Sequence, residues 1–259
     1  MQILSHGLNE MEYSVYGKGF PVVFLHGYFE TIEIWNDYKD KLQKSCQLII
    51  PNLNIVIQGG TNTPSDYSRL LNQIFLKLKL DKWLMVGHSM GGYVALDFAK
   101  CYPDRVAGLI LSNTILEADT PNKRKRRHRE IKLIKDGYKS KIISLGFSNA
   151  FSRKFKMDYS SKFKHHLRLA AQISDEVICF QIQLMTERNS HLNSLNHFKG
   201  WVMAIYGKDD PYIPQGLLLN YLKTNNDKIH IISKIGHMLP VEQPSLLVAQ
   251  VQKSLKILA

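Results

Sequence analysis

Ser89 stands in Gly87-His88-Ser89-Met90-Gly91, a G-x-S-x-G run between an apolar stretch and a helical pattern. A serine hydroxyl is a weak nucleophile, and this context predicts a strained strand-to-helix turn that presents it above a sheet. Such a turn needs small residues two before and two after the serine. Gly87 and Gly91 meet that need, and Gly92 extends the room. The N-terminus of the next helix and the backbone N–H of Met90 are then expected to favour a developing oxyanion.

A base must lie within hydrogen-bond reach of that hydroxyl. Ten histidines are present. His237 follows Gly236 just after the final strand-like stretch, and open α/β sheets place their sites at such strand ends. His26 is read as part of an oxyanion loop, His26-Gly27-Tyr28, in which the Tyr28 N–H is the expected second donor. His88, inside the turn, is expected to point away from the pocket. His165, His166, His191 and His197 fall in a polar region where solvated or capping roles are expected. The imidazole also needs a carboxylate to hold one tautomer and stabilise its charged form. Asp209 and Asp210, in Gly207-Lys208-Asp209-Asp210-Pro211, both qualify, and spacing alone does not choose between them.

These groups need elements to position them. Val- and Ile-rich runs alternate with longer helical patterns, which predicts βαβ units and a parallel sheet. Strands are expected at 21–25, 46–50 (stopped by Pro51), 83–86, 106–111, 201–206 and 228–232. Helices are expected at 32–42, 64–78, 91–101 and 244–258. Between Ala118 and Phe198 helical periodicities replace strands, with Thr120-Pro121 as a start signal and Gly137 as a stop. The division is a doubly wound α/β core of residues 1–117 and 199–259, interrupted by a helical insertion, 118–198.

Composition agrees with one soluble globular domain. The 259 residues are 44% hydrophobic and 22% charged, close to globular averages, which argues against disorder. No apolar run approaches the ~20 residues of a membrane span, and Met1–Glu10 lacks the pattern of a signal peptide. Cys46, Cys101 and Cys179 lack metal-like spacing, and Cys46 and Cys101 are expected to be buried free thiols. Together these point to the cytoplasm. Lys and Arg number 34 against 22 Asp and Glu, a formal +12.

The motifs together resemble the α/β-hydrolase superfamily, in its esterase and lactonase-like branch with a helical cap. Phe24-Leu25-His26-Gly27-Tyr28 is similar to the family's oxyanion strand and loop, and Val86 to Gly92 to its nucleophile elbow. Gly207 to Pro214 matches G-x-x-D-x-x-x-P, a spacing that selects Asp210; Gly236 to Pro244 resembles the histidine segment. The resemblance implies a Ser89–His237–Asp210 triad, an oxyanion hole from Tyr28 and Met90, and neither metal nor organic cofactor. Serine at the nucleophile position argues against the dehalogenase and epoxide-hydrolase branches. One segment departs. The family's D-x-x-G-x-G-x-S loop is here Asn52 to Thr61, with asparagine for aspartate and the glycines displaced.

The expected partner is a small ester-like substrate. Lys123 to Arg129 forms a basic run in the insertion, and on a helix its members point all around the axis. A solvated face is one reading. The sharper one has Arg124 and Arg127 meeting an acidic substrate or carrier protein, since guanidinium suits carboxylate and phosphate. Met238, beside the candidate base, is a further expected pocket residue, and Trp35 is read as core. The run is short and no nucleic-acid motif accompanies it, so no nucleic-acid partner is expected. Three activities follow: hydrolysis of a carboxylic ester or lactone, cleavage of a carbon–carbon or thioester bond, and a non-catalytic receptor on the same fold.

Overall fold

A computed structural model describes residues 11–60, 63–214, 216–217 and 229–258. Met1–Glu10, Thr61 and Lys228 lie outside them. Seven strands form one sheet in the order β1-β3-β2-β4-β5-β6-β7. They are β1 (Tyr13–Tyr16), β2 (Pro21–Leu25), β3 (Gln47–Pro51), β4 (Trp83–His88), β5 (Val106–Ser112), β6 (Trp201–Gly207) and β7 (Ile229–Ile232). Only the β1–β3 pair is antiparallel. Every residue of β4 and β5 is buried, as central strands covered on both faces require. This is the α/β-hydrolase architecture expected from the motifs.

Helices α1 (Asn36–Leu42), α2 (Pro64–Lys77) and α3 (Met90–Cys101) connect the first half, and α11 (Pro244–Leu258) closes the chain. The expected helix 32–42 begins instead as a 3-10 turn, Ile32–Trp35, whose start Thr31 caps by accepting the Glu33 N–H. Trp35 sits fully in the core against Phe24 and Tyr38. Pro51 does not stop β3 but ends it opposite Tyr13. Its missing N–H is tolerated at this outer pair of the sheet.

Between β5 and β6 run six helices: α4 (Pro121–Lys135), α5 (Lys139–Leu145), α6 (Arg153–Asp158), α7 (Ser160–Gln172), α8 (Asp175–Glu187) and α9 (Leu192–His197). Thr120 caps α4 by accepting the Lys123 N–H, and Gly137 follows the helix at φ 84°. A short α10 (Leu239–Glu242) precedes α11. Two sequence expectations are corrected here. Cys101 is exposed, at the last turn of α3, whereas Cys46 is buried. His166 and His191 are buried rather than solvated; burial drives the His166 pKa down to about 4. Among the described residues no helix is long and apolar enough to cross a membrane.

Candidate active site

Parallel pairing puts the C-terminal ends of β2, β4, β5, β6 and β7 on one edge, and the candidate groups follow those ends in sequence. The β4–α3 junction is tightly built. A methyl group on Gly91 would lie 2.2 Å from the Leu25 carbonyl oxygen, and one on Gly87 would lie 2.6 Å from Gly92 Cα. Between them Ser89 adopts φ 51° and ψ −115°. A non-glycine residue held there stores strain, which the surrounding bonds must hold. Ser89 N–H donates to Ser112 O at 2.9 Å, and the Ser89 carbonyl accepts from Gly92 N–H and the Thr114 hydroxyl. The side chain is thereby presented outward at the start of α3.

Ser89 Oγ lies 2.9 Å from His237 Nε2, and His237 Nδ1 lies 2.6 Å from Asp210 Oδ2. Asp210 is buried, while its neighbour Asp209 is exposed. The Asp210 carboxylate also accepts Asn113 Nδ2–H at 2.7 Å and the Tyr212 N–H at 2.8 Å. Burial alone would raise its pKa, but the His237 charge and these donors hold it below the usual range. Burial pulls the His237 pKa down. The Asp210 charge and hydrogen bond outweigh that pull, Glu30 adds to them, and the net shift is upward. The His237 backbone is pinned by its own N–H donating to Ala150 O at 2.7 Å, a contact reaching into the helical insertion.

The β2 loop is held as firmly. Leu53 N–H donates to His26 Nε2 at 2.9 Å, which leaves the proton on Nδ1 to donate to Gly27 O at 3.0 Å. Carbonyl and N–H of one trans peptide point oppositely. Fixing the Gly27 carbonyl on His26 therefore fixes the direction of the Tyr28 N–H. Gly27 N–H donates to Glu30 Oε2 at 2.5 Å, and Glu30 Oε1 lies 3.0 Å from His88 Nε2. His88 is thus tied to Glu30, with its ring 5.1 Å from that of His237 between centroids. The variant loop after β3 supplies part of this clamp: Tyr67 OH donates to Leu53 O, and Asn54 Nδ2–H donates to Glu30 O. Gln181 of α8 donates to Asn54 Oδ1 at 2.8 Å.

The basic run divides by helix face. Lys125, Arg126, His128 and Arg129 are exposed, whereas Lys123, Arg124, Arg127 and Glu130 are half-buried. Buried Asp119 gathers the inward cations: Arg127 Nε binds its Oδ2, Arg188 Nη1 lies 2.6 Å from Oδ1, and Lys123 Nζ 3.5 Å. Arg124 Nε–H donates to the Asp119 carbonyl at 3.3 Å. Three cations share one carboxylate. Burial and the two neighbouring guanidinium groups bring the Lys123 pKa down to about 8 despite Asp119. Met238 is fully buried in the hydrophobic core, so its side chain packs inside rather than forming an open wall.

Ser89, His237 and Asp210 are therefore brought together, and Met90 follows Ser89 as the first residue of α3. Sequence reading passed over Asn113, Glu30, Asp119, Glu130 and Arg188. Asn113 carried a signal, being a polar residue at the end of an apolar strand; Glu30, Asp119, Glu130 and Arg188 each have at least one defining partner distant in sequence. A surface groove of about 250 Å³ along Leu96, Ala99, Lys100 and Phe198 contains none of these groups.

Residues 21–244 match the family described as alpha/beta hydrolase fold, and the chain belongs to that family. It is 27% identical to a Bacillus subtilis protein named for 2-succinyl-6-hydroxy-2,4-cyclohexadiene-1-carboxylate synthase, over 87% of this chain and 86% of that one. Identity to the 2-hydroxy-6-oxo-2,4-heptadienoate hydrolase of Pseudomonas putida F1 is 24%, covering 93% of this chain and 90% of the relative. A thermophilic esterase from Thermogutta terrifontis superposes with a TM-score of 0.89 at 23% identity, over 96% and 94% of the two chains.

Proposed function

We propose that this protein is a serine hydrolase that cleaves a carboxylic ester or lactone through an acyl-enzyme. The observation that carries the reading is the line Ser89 Oγ, His237 Nε2, His237 Nδ1, Asp210 Oδ2, at 2.9 and 2.6 Å, with Ser89 strained at the head of α3. Ser89 Oγ bonds to the substrate carbonyl carbon while its proton passes to His237 Nε2, and the carbonyl π pair moves to oxygen. The Met90 and Tyr28 N–H groups receive that oxyanion; one such donor is worth about 3–4 kcal/mol. Collapse expels the alcohol oxygen, which takes the proton from His237. Water then attacks the acyl-enzyme, losing a proton to His237, and Ser89 departs with it. Asp210 holds the tautomer and stabilises the imidazolium. Residues 118–198 act as the cap over this edge.

A second reading is favoured by the Asp119 cluster. Three cations around one buried carboxylate leave positive charge at the inward face of α4, suited to a substrate bearing a carboxylate or phosphate, free or carrier-bound. The same serine chemistry would then cleave a thioester or a carbon–carbon bond; the names of the B. subtilis and P. putida relatives both specify a carboxylate-bearing compound. Kinetics of Arg127→Ala on paired neutral and carboxylate-bearing esters test this. The anionic-substrate reading predicts a loss of about tenfold or more on the anionic ester alone. Equal effects on both would remove it.

A further inference from the structure

The Tyr28 side chain leaves the oxyanion loop in the direction opposite to the bonds that secure its backbone. His26 holds the Gly27 carbonyl, Glu30 accepts the Gly27 N–H, and Leu53 N–H holds the His26 ring. The Tyr28 hydroxyl instead donates to Glu130 Oε1 at 2.9 Å, across 102 residues of sequence, on the inward face of α4. Among the described residues this is the hydrogen bond between that loop's side chains and the helical insertion. It is reinforced by ring packing: Tyr28 lies 4.1 Å from Phe29 between centroids, and Phe29 lies 5.8 Å from Phe147 of the insertion. Phe29 itself sits at φ 62°, a conformation an aromatic residue holds only when its surroundings impose it.

Glu130 is an odd residue for this place. It is the lone acid in a helix that otherwise carries Lys and Arg on every side. It turns inward rather than pairing across the exposed face, and burial outweighs the Tyr28 bond and the Arg127 charge to raise its pKa. Burying a carboxyl group costs free energy that a surface position would avoid. Its contact with Tyr28 is what that cost sustains. The phenol is a lasting donor, because burial and the Glu130 charge keep its own pKa far above neutrality.

We infer that Glu130 is a positioning residue: by holding the Tyr28 hydroxyl, it ties the cap helix α4 to the oxyanion loop, so that the seated cap adds a second hold, beside the His26–Gly27 bond, on the aim of the Tyr28 N–H at the reacting carbonyl. The inference rests on the serine-hydrolase reading above. Cap seating is then coupled to the rate of the chemical step and not merely to substrate entry, since small displacements of an aligned donor cost rate steeply.

Four variants test it: Glu130→Ala, Tyr28→Phe, the double variant and Glu130→Gln, each first checked by thermal unfolding. With a neutral 4-nitrophenyl ester, the two single variants should each lower kcat by about tenfold with little change in KM. Labelling of Ser89 by a fluorophosphonate should slow in parallel. The double variant should be no slower than the singles, because both break one contact. Glu130→Gln, whose amide oxygen can still accept, should stay within about twofold of wild type. Hydrogen exchange over residues 26–31 provides a readout independent of turnover: faster in the alanine and phenylalanine variants, unchanged in the glutamine one. A rise in KM at constant kcat, additive losses, or wild-type rates and exchange in Glu130→Ala would each overturn the inference while leaving the hydrolase reading intact. A folded wild type that neither turned over esters nor labelled would overturn both, and the exchange pattern would still show whether the loop is clamped.

Discussion

At the scale of single residues the site is an arrangement of proton positions. His237 must be neutral to accept the Ser89 proton, and the balance of Asp210 and Glu30 against burial raises its pKa. Activity therefore falls as pH drops through that raised value, so the acid limb of kcat/KM should lie above 6.5, the ordinary histidine value. A limb at or below 6.5 would contradict the charge arrangement. Asp210→Asn removes the negative charge and offers the wrong tautomer partner. It should lower kcat by about 10⁴ and move the remaining limb to lower pH; an unmoved limb would mean that Asp210 does not govern His237. The grouping of Ser89, His237 and Asp210 was legible in sequence because each follows a strand end with characteristic neighbours. Asp210 could be preferred to Asp209 only through family resemblance, and the structure separates them by burial and by the 2.6 Å contact. Glu130 was not legible, since its role comes from a partner 102 residues away; Asn113 showed its strand-end place but not its partner, 97 residues away.

At the scale of elements, the β4–α3 junction depends on close backbone approach. Gly91→Ala would place a methyl group 2.2 Å from a buried carbonyl oxygen of β2. Backbone on both sides must then shift. The variant should lose about 1–3 kcal/mol of stability or more, seen as a lower denaturation midpoint, and Ser89 should lose its alignment. Wild-type stability and activity in Gly91→Ala would show that the packing is looser than described. The buried parallel strands were legible as short apolar runs, and α2, α3, α4 and α11 from periodicity, capping and proline. Strand β1 was not, because four residues at a sheet edge, two buried and two half-buried, are too few to show a period. The faces of α4 could be anticipated only as a mixture. Its division into an exposed row and an inward row is set by the seating of the insertion, to which Asp119 contributes two ion pairs from α4 and one from Arg188.

At the scale of the whole molecule, charge is concentrated in one stretch of the chain. Residues 118–198 hold 17 of the 34 Lys and Arg but 7 of the 22 Asp and Glu, so they carry +10 of the formal +12. A field of that sign should speed the arrival of anionic substrates and be screened by salt within about 10 Å at 0.1 M. The kcat/KM for an anionic ester should therefore fall several-fold between about 0.02 and 0.5 M salt, while that for a matched neutral ester stays nearly level. Parallel salt responses would mean that the insertion's charge serves solubility alone. The excess of charge was legible in composition. What that stretch touches required the fold: the Ala150 carbonyl within it accepts the His237 N–H.

The account stands or falls on whether Ser89 is an activated nucleophile. Incubation of the purified protein with a fluorophosphonate probe, beside Ser89→Ala, followed by mass spectrometry of the peptides, addresses this directly. The prediction is a single adduct on Ser89, absent from the variant, with ester turnover lost in the same variant by at least about a thousandfold. A folded wild type that forms no adduct, or a Ser89→Ala protein that keeps its turnover, would contradict it.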